Sequence, residues 1–125
     1  MLTSNDLVAF VGSADLKRAQ SFYGGVLGLR LAERNDFACV YDVNGTMLRV
    51  TAVPGLSPAQ HTVLGWAVPD IKSTVDELAD RGVEFARYEG MDQDEAGIWR
   101  TPGGDFVAWF TDPDGNTLSL TQFAG

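Results

Sequence analysis

The chain carries one pattern of apolar and polar positions twice. An apolar strand is followed by an acidic turn, an amphipathic helix, a glycine and a second strand. In the first copy Asp15 follows Val8 by seven residues, and in the second Asp70 follows Val63 by seven. The pattern predicts a tandem repeat in which two sheets, each curled around one face, enclose a cleft.

The first copy predicts a βαβββ unit. Ser13 or Asp15 can cap its helix, whose apolar positions recur every three or four residues, and one of the glycines at positions 24–28 ends it. Its strands are predicted over residues 7–11, 29–33, 37–43 and 46–53. Asn44 and Gly45 predict a tight hairpin between the last two strands.

The second copy predicts the same unit with an insertion. Its helix is predicted over residues 70–81 and its strands over residues 62–68, 83–88, 105–111 and 116–123. The insertion, residues 89–104, has an acidic, glycine-rich centre that indicates a mobile surface loop, either a solvated excursion or a lid whose Trp99 closes over the cleft. Residues 54–60 form a short ordered linker, so the units 1–53 and 61–125 are expected to make one structural domain.

Composition excludes several classes of partner. The chain has 125 residues, of which 45% are hydrophobic, enough for a core. A net charge of −8 would repel the phosphates of a nucleic acid. No pattern of a signal peptide or membrane span is found, so no membrane partner and a cytoplasmic location are expected. The one cysteine, Cys39, is predicted to be a small buried hydrophobe.

Three short motifs carry a resemblance to a known family. They are Asp15-Leu-(x)5-Phe-Tyr23 at the first helix, Leu27-Gly-Leu29 after it, and Asp112-Pro-Asp-Gly-Asn116 before the last strand. Together with the doubled βαβββ pattern, they resemble the vicinal oxygen chelate superfamily, which includes glyoxalase, extradiol dioxygenases and bleomycin resistance proteins. The resemblance implies an α+β fold in which two tandem βαβββ units form a curved mixed sheet around a cleft. It leaves the function open, because one scaffold hosts many reactions and some binding roles.

The resemblance also implies where a metal would bind. Metal-dependent members carry ligands on the first and last strands of each half, at positions that correspond here to Val8, Arg49, Val63 and Ser119. None of these is a usual ligand of a divalent ion, which needs three or four His, carboxylate or thiolate donors. We therefore expect no metal, no other cofactor and no catalytic residue.

Strand alternation predicts the lining of the cleft, because residues two apart share a face. Alternation places Phe10, Arg49, Val63 and Ser119 among the candidate ligand-binding residues. The resemblance to bleomycin resistance proteins, whose aromatic clefts stack flat ligands, adds Trp99 beside the insertion and Trp109, which, with Phe110, precedes the Asp112-Pro-Asp-Gly turn. Arg49 either forms an internal salt bridge, extends to the cleft mouth, or binds a carboxylate, phosphate or enolate oxygen. Trp66 alternates with the cleft positions and is expected to belong to the core.

Two functions fit these observations. The first is a metal-independent small-molecule binding protein of the glyoxalase/bleomycin-resistance type, which holds a planar or amphiphilic ligand in an aromatic cleft. The second is a glyoxalase- or dioxygenase-like enzyme, a lyase, isomerase or oxidoreductase, of unknown substrate. The lack of usual ligands at all four metal positions favours the first.

We predict that the chain is a homodimer, because each predicted sheet has open edges that can pair with another chain. Multi-angle light scattering at micromolar concentration should give twice the mass of the 13.5 kDa chain. A mass equal to that of one chain would contradict the prediction.

Overall fold

The polypeptide divides into two units, Met1–Pro58 and Ala59–Gly125, and the computed structural model describes all 125 residues of the chain. Each unit has one four-stranded mixed sheet with one helical segment packed on it. This confirms the predicted α+β fold with two tandem βαβββ units. None of the helices has the length and apolar content needed to cross a lipid bilayer.

The first unit follows the predicted order of elements. They are β1 (Val8–Ser13), α1 (Leu16–Gln20), β2 (Arg30–Arg34), β3 (Ala38–Val43) and β4 (Thr46–Ala52). The strands lie in the order β1-β4-β3-β2, with β1 parallel to β4 and the other pairs antiparallel. Asn44 and Gly45 join β3 to β4 with φ values of 49° and 91°, which confirms the predicted hairpin.

The first helix begins at the predicted cap. The Asp15 carboxylate accepts a hydrogen bond from the Arg18 backbone N–H at 3.1 Å. After Gln20 the helix continues as a π-helical segment, Ser21–Val26, which the sequence pattern did not predict. Gly28, with a φ of 72°, follows this segment, so the chain leaves the helix at one of the predicted glycines.

The second unit repeats this arrangement. Its elements are β5 (Thr62–Ala67), α2 (Ile71–Asp80), β6 (Trp99–Arg100), β7 (Phe106–Thr111) and β8 (Thr117–Gln122). The strands lie in the order β5-β8-β7-β6, with β5 parallel to β8, as in the first unit. Asp70 caps α2 by accepting from the Ser73 backbone N–H at 3.1 Å, so Asp15 and Asp70 are equivalent.

The prediction of a strand over residues 83–88 is wrong. This stretch makes only an isolated bridge between Phe85 and Phe110, and β6, from the predicted insertion, takes the sheet edge beside β7. The Gln93 side chain satisfies the backbone groups that a strand would have paired: its amide donates to the Ala86 and Gly97 carbonyls and accepts from the Tyr88 N–H. Side-chain hydrogen bonds therefore replace a sheet ladder here.

Each sheet buries the face that carries its helix. In the first unit Val11, Leu48 and Val50 are at most 4% exposed, and Cys39 is buried as predicted, with its thiol 3.7 Å from the Leu16 carbonyl oxygen. In the second unit the buried face is formed by Ile71, Val75 and Leu78 of α2 and by Ala108, Phe110, Leu118 and Leu120 of the sheet. The opposite face of each sheet is the one without a helix.

Tyr41 places a polar group in the first core without a partner. Its ring is fully buried, with its centroid 6.2 Å from that of Tyr23, and its hydroxyl makes no hydrogen bond. Burial, and to a smaller extent the neighbouring Cys39 thiol, raise the pKa of Tyr41 to about 12.

We expect Tyr41→Phe to raise the free energy of unfolding by about 1 kcal/mol, because it removes a desolvated hydroxyl that makes no hydrogen bond. Because the pKa of Tyr41 is 10.0 in the unfolded chain and about 12 in the folded protein, the folded state holds the phenol proton more tightly. The part of the free energy of unfolding that comes from this difference is fully present below pH 10 and is lost as the pH rises to about 12. Urea unfolding at neutral pH and across that window measures both effects. Tyr88→Phe, at an exposed tyrosine, is the control, and a destabilised Tyr41→Phe at neutral pH would contradict the prediction.

Candidate functional site

The open face of the first sheet centres on Arg49. In the register of β1, β4 and β3, Arg49 lies directly between Phe10 and Val40. Its chain neighbours Leu48 and Val50 are buried on the helix face, so alternation places Arg49 on the open face together with Phe10. Both residues thus lie on the face that alternation predicts, and their role in ligand binding stays a prediction.

The guanidinium of Arg49 makes no ion pair or hydrogen bond within the chain. The internal salt bridge that the sequence left open is therefore not formed. Arg49 is half-buried, and both of its cross-strand neighbours are apolar. It remains available to an anion.

A small cavity lies on the same face, one residue pair further along the strands. It has a volume of about 280 Å³. Its lining includes Val8 and Met47, which pair with each other across β1 and β4, and Val40 of β3. Asp6 and Asp42 also line it, so its polar groups are acidic.

The open face of the second sheet carries the aromatic candidates. Trp109 of β7 pairs with Ser119 of β8, and Ser119 pairs with Gly65 of β5, so the three residues form one row across the sheet. Trp99 lies at the edge beside Val107, on the same face. Three predicted residues, Trp99, Trp109 and Ser119, are thus brought together.

The two indoles form the centre of an aromatic cluster. The Trp99 and Trp109 rings are stacked, with centroids 6.1 Å apart and planes at 30°. Tyr88 packs edge-on against Trp109 at 5.4 Å. Trp99 lies in the edge strand β6, and its ring stacks on that of Trp109.

Tyr88 is a site residue that sequence reasoning missed. Phe85 packs against Phe110 on the core face. In the strand that the sequence predicted over residues 83–88, Tyr88 lies three positions after Phe85 and would therefore point to the opposite face, so alternation could have identified it. Tyr88 is 42% exposed and extends the row of rings from Trp99 through Trp109.

Gly65 makes room for the Ser119 hydroxyl. A Cβ at position 65 would lie 2.7 Å from Ser119 Oγ, closer than any van der Waals contact. The serine is only 8% exposed, and its hydroxyl makes no hydrogen bond within the chain. The hydroxyl of Ser119, in the middle of the row, therefore lies over the backbone of Gly65.

Val63 was predicted to line the cleft, but strand alternation does not hold at this residue. The register between β5 and β8 shifts between Thr62 and Leu64, so Val63 is the extra residue of a bulge. The sequence prediction that Val63 shares a face with Gly65 assumed an unbroken strand. Trp66 pairs with Leu120 on the helix side, as expected, but is only half-buried.

The four positions that correspond to metal ligands do not suit a divalent ion. Val8 and Val63 offer no donor atom, Arg49 is a cation, and Ser119 has a neutral hydroxyl. No group of three or more His, Cys, Asp or Glu side chains in the chain is arranged to hold a metal.

A larger cavity, of about 460 Å³, lies on the helix side of the second sheet and contains none of the predicted residues. It is lined by Ile71, Lys72, Asp92, Gln93, Asp94, Ile98, Arg100, Phe106 and Gln122. Several of its polar groups are already engaged: Gln122 accepts from the Ile71 N–H, Asp94 from the Ile98 N–H, and Lys72 pairs with Asp76. The aromatic face is thus the better candidate for a site.

Solved structures from other organisms share this fold. A member of the glyoxalase/bleomycin resistance protein/dioxygenase superfamily from Sphaerobacter thermophilus is 22% identical, with a TM-score of 0.75 over 98% of this chain and 100% of that chain. A glyoxalase/bleomycin resistance protein from Catenulispora acidiphila is 22% identical, with a TM-score of 0.71 over 97% and 100%. A lactoylglutathione lyase from Agrobacterium tumefaciens is 19% identical, with a TM-score of 0.70 over 95% and 93%. At these identities the likeness shows the fold alone.

Comparison with curated proteins finds no match. The model of one family matches residues 6–120, which run from before β1 to within β8 and include all six predicted ligand-binding residues. The protein belongs to the Glyoxalase/Bleomycin resistance protein/Dioxygenase superfamily.

Proposed function

We propose that this protein binds a small organic molecule with a planar apolar part, and that it does so without a metal ion. The observation that carries the proposal is the aromatic cluster of Tyr88, Trp99 and Trp109 on the open face of the second sheet. Ligand sites are mostly apolar and aromatic, with a few polar groups that orient the ligand.

The exposure of the cluster supports binding over a purely structural role. Core aromatic residues of this unit, such as Phe110 at 1% exposure, lie on the helix face. The two indoles are half-buried and Tyr88 is exposed, so part of their flat apolar surface meets solvent. A planar ligand that stacks there removes apolar area from water and adds ring-to-ring contact.

Ser119 supplies a polar contact beside this surface. Its unbonded hydroxyl can donate to or accept from one heteroatom of the ligand. Its cross-strand neighbours, Gly65 and Trp109, have no group that takes a proton, so Ser119 lacks the adjacent base that an activated nucleophile needs. The row therefore favours binding over acyl or hydrolytic chemistry.

Removing one indole should weaken binding of a planar probe. We expect 2-naphthamide to bind the wild-type protein in equilibrium dialysis and Trp109→Leu to weaken it about 5- to 10-fold, because an aromatic pair contributes about 1 kcal/mol beyond the area it buries. Trp66→Leu is the matched control, since Trp66 has the same chemistry on the opposite face of the sheet. Equal loss in both variants, or no binding to the wild-type protein, would refute the proposal.

Binding should also be independent of metal. Isothermal titration of the protein with zinc, nickel, manganese and iron(II) is expected to show no stoichiometric site, because the four positions provide no converging donors. Treatment with a chelator should leave the affinity for 2-naphthamide unchanged. One tightly bound ion per chain, weakened by substitution of Ser119, would refute the metal-independent proposal.

A further inference from the structure

The half-buried guanidinium of Arg49 has no compensating charge in the chain. Phe10 and Val40, its two cross-strand neighbours, have no polar side-chain atom. An arginine remains charged at every physiological pH, and withdrawing a charge from water is costly unless it is paired. An anion from outside the chain would supply the missing partner.

The missing partner does not reflect a shortage of carboxylates. The chain has 17 acidic residues against 9 basic ones, and carboxylates pair with several of the other cations, such as Arg30 with Asp42 at 3.8 Å and Arg81 with Glu77 at 3.0 Å. Asp42, in the neighbouring row of the same sheet, also accepts from the Gly45 N–H at 2.9 Å. No acidic side chain forms an ion pair with Arg49.

The surroundings of Arg49 suit the apolar body of such an anion. Phe10 is 61% exposed, Val8 37% and Met47 42%, and these three lie in the same or the next row of the open face. The 280 Å³ cavity adjoins them. A cation surrounded by exposed apolar side chains is suited to an amphiphilic anion: the oxygens of the anion bind the paired N–H groups of the guanidinium, and its apolar body lies on the neighbouring side chains.

We propose that the open face of the first sheet is a separate site for a small organic anion, and that Arg49 holds its carboxylate or a similar planar oxyanion. The proposal concerns the first unit alone and does not depend on the aromatic site proposed in the second. Arg49 thereby determines specificity for anionic over neutral compounds.

The experiment compares two probes of almost the same shape, 2-naphthoate and neutral 2-naphthamide, by equilibrium dialysis at constant ionic strength. In the wild-type protein we expect 2-naphthoate to bind at least 10-fold more tightly, the range of a charge-assisted hydrogen bond. Arg49→Gln should abolish that preference and leave the affinity for 2-naphthamide unchanged. Arg49→Lys keeps the positive charge but loses the paired N–H donors of the guanidinium, so it should keep part of the preference for 2-naphthoate.

Arg34→Gln is the matched control, because it removes the same charge from the same sheet at a residue bonded to Gln20 and Asn35. Equal affinities of the two probes for the wild-type protein, or the same loss in the Arg34 and Arg49 variants, would overturn the anion proposal while the proposed binding function stands. The preference for 2-naphthoate should persist in the Trp109 variant, and its loss there would overturn a separate anion site in the first unit. Binding of neither probe would overturn both.

Discussion

The parallel pairing of the first and last strands of each unit places residues that are distant in the sequence side by side in both candidate sites. A helix connects the first strand to the rest of the unit, and the last strand then pairs beside the first, parallel to it. This pairing sets Phe10 beside Arg49 in one unit and Gly65 beside Ser119 in the other. Residues about 40 to 55 positions apart thus become neighbours through backbone hydrogen bonds.

The division of each sheet into two faces then decides which side chains reach solvent. The helix packs on one face, and burial of apolar side chains there supplies the main stabilisation of the unit. The period of two in a strand sends the alternate residues to the other face, where no helix covers them. Exposed apolar groups and the half-buried Arg49 cation are therefore tolerated on that face, and a ligand is the kind of partner that would reduce their cost.

The segment between Tyr88 and Phe106 gives the second unit an aromatic cluster that the first unit lacks. Gln93 and Asp94 fold it by bonding to backbone groups with their side chains, and Trp99 is thereby delivered to the edge of the sheet. Trp99 can stack on Trp109 because the chain returns as an edge strand rather than as a free loop. The first unit has no such segment between its helix and its edge strand, and its open face has a cation in place of the indoles.

The sequence by itself determined the features whose cause is local. The caps at Asp15 and Asp70, the Asn44-Gly45 hairpin and the doubled order of elements follow from short-range hydrogen bonding and from allowed backbone angles. Alternation likewise placed Phe10, Arg49 and Ser119 on open faces, since it depends only on parity within an unbroken strand.

The tertiary structure decided whatever depends on which segments pair. It gave the sheet edge to β6 instead of residues 83–88, broke the alternation at Val63 by a bulge, and brought Tyr88 to Trp109. It also left Arg49 without a carboxylate, although the chain has many. These outcomes result from competition among distant partners for the same hydrogen-bonding groups and charges, and neither spacing nor composition contains that information.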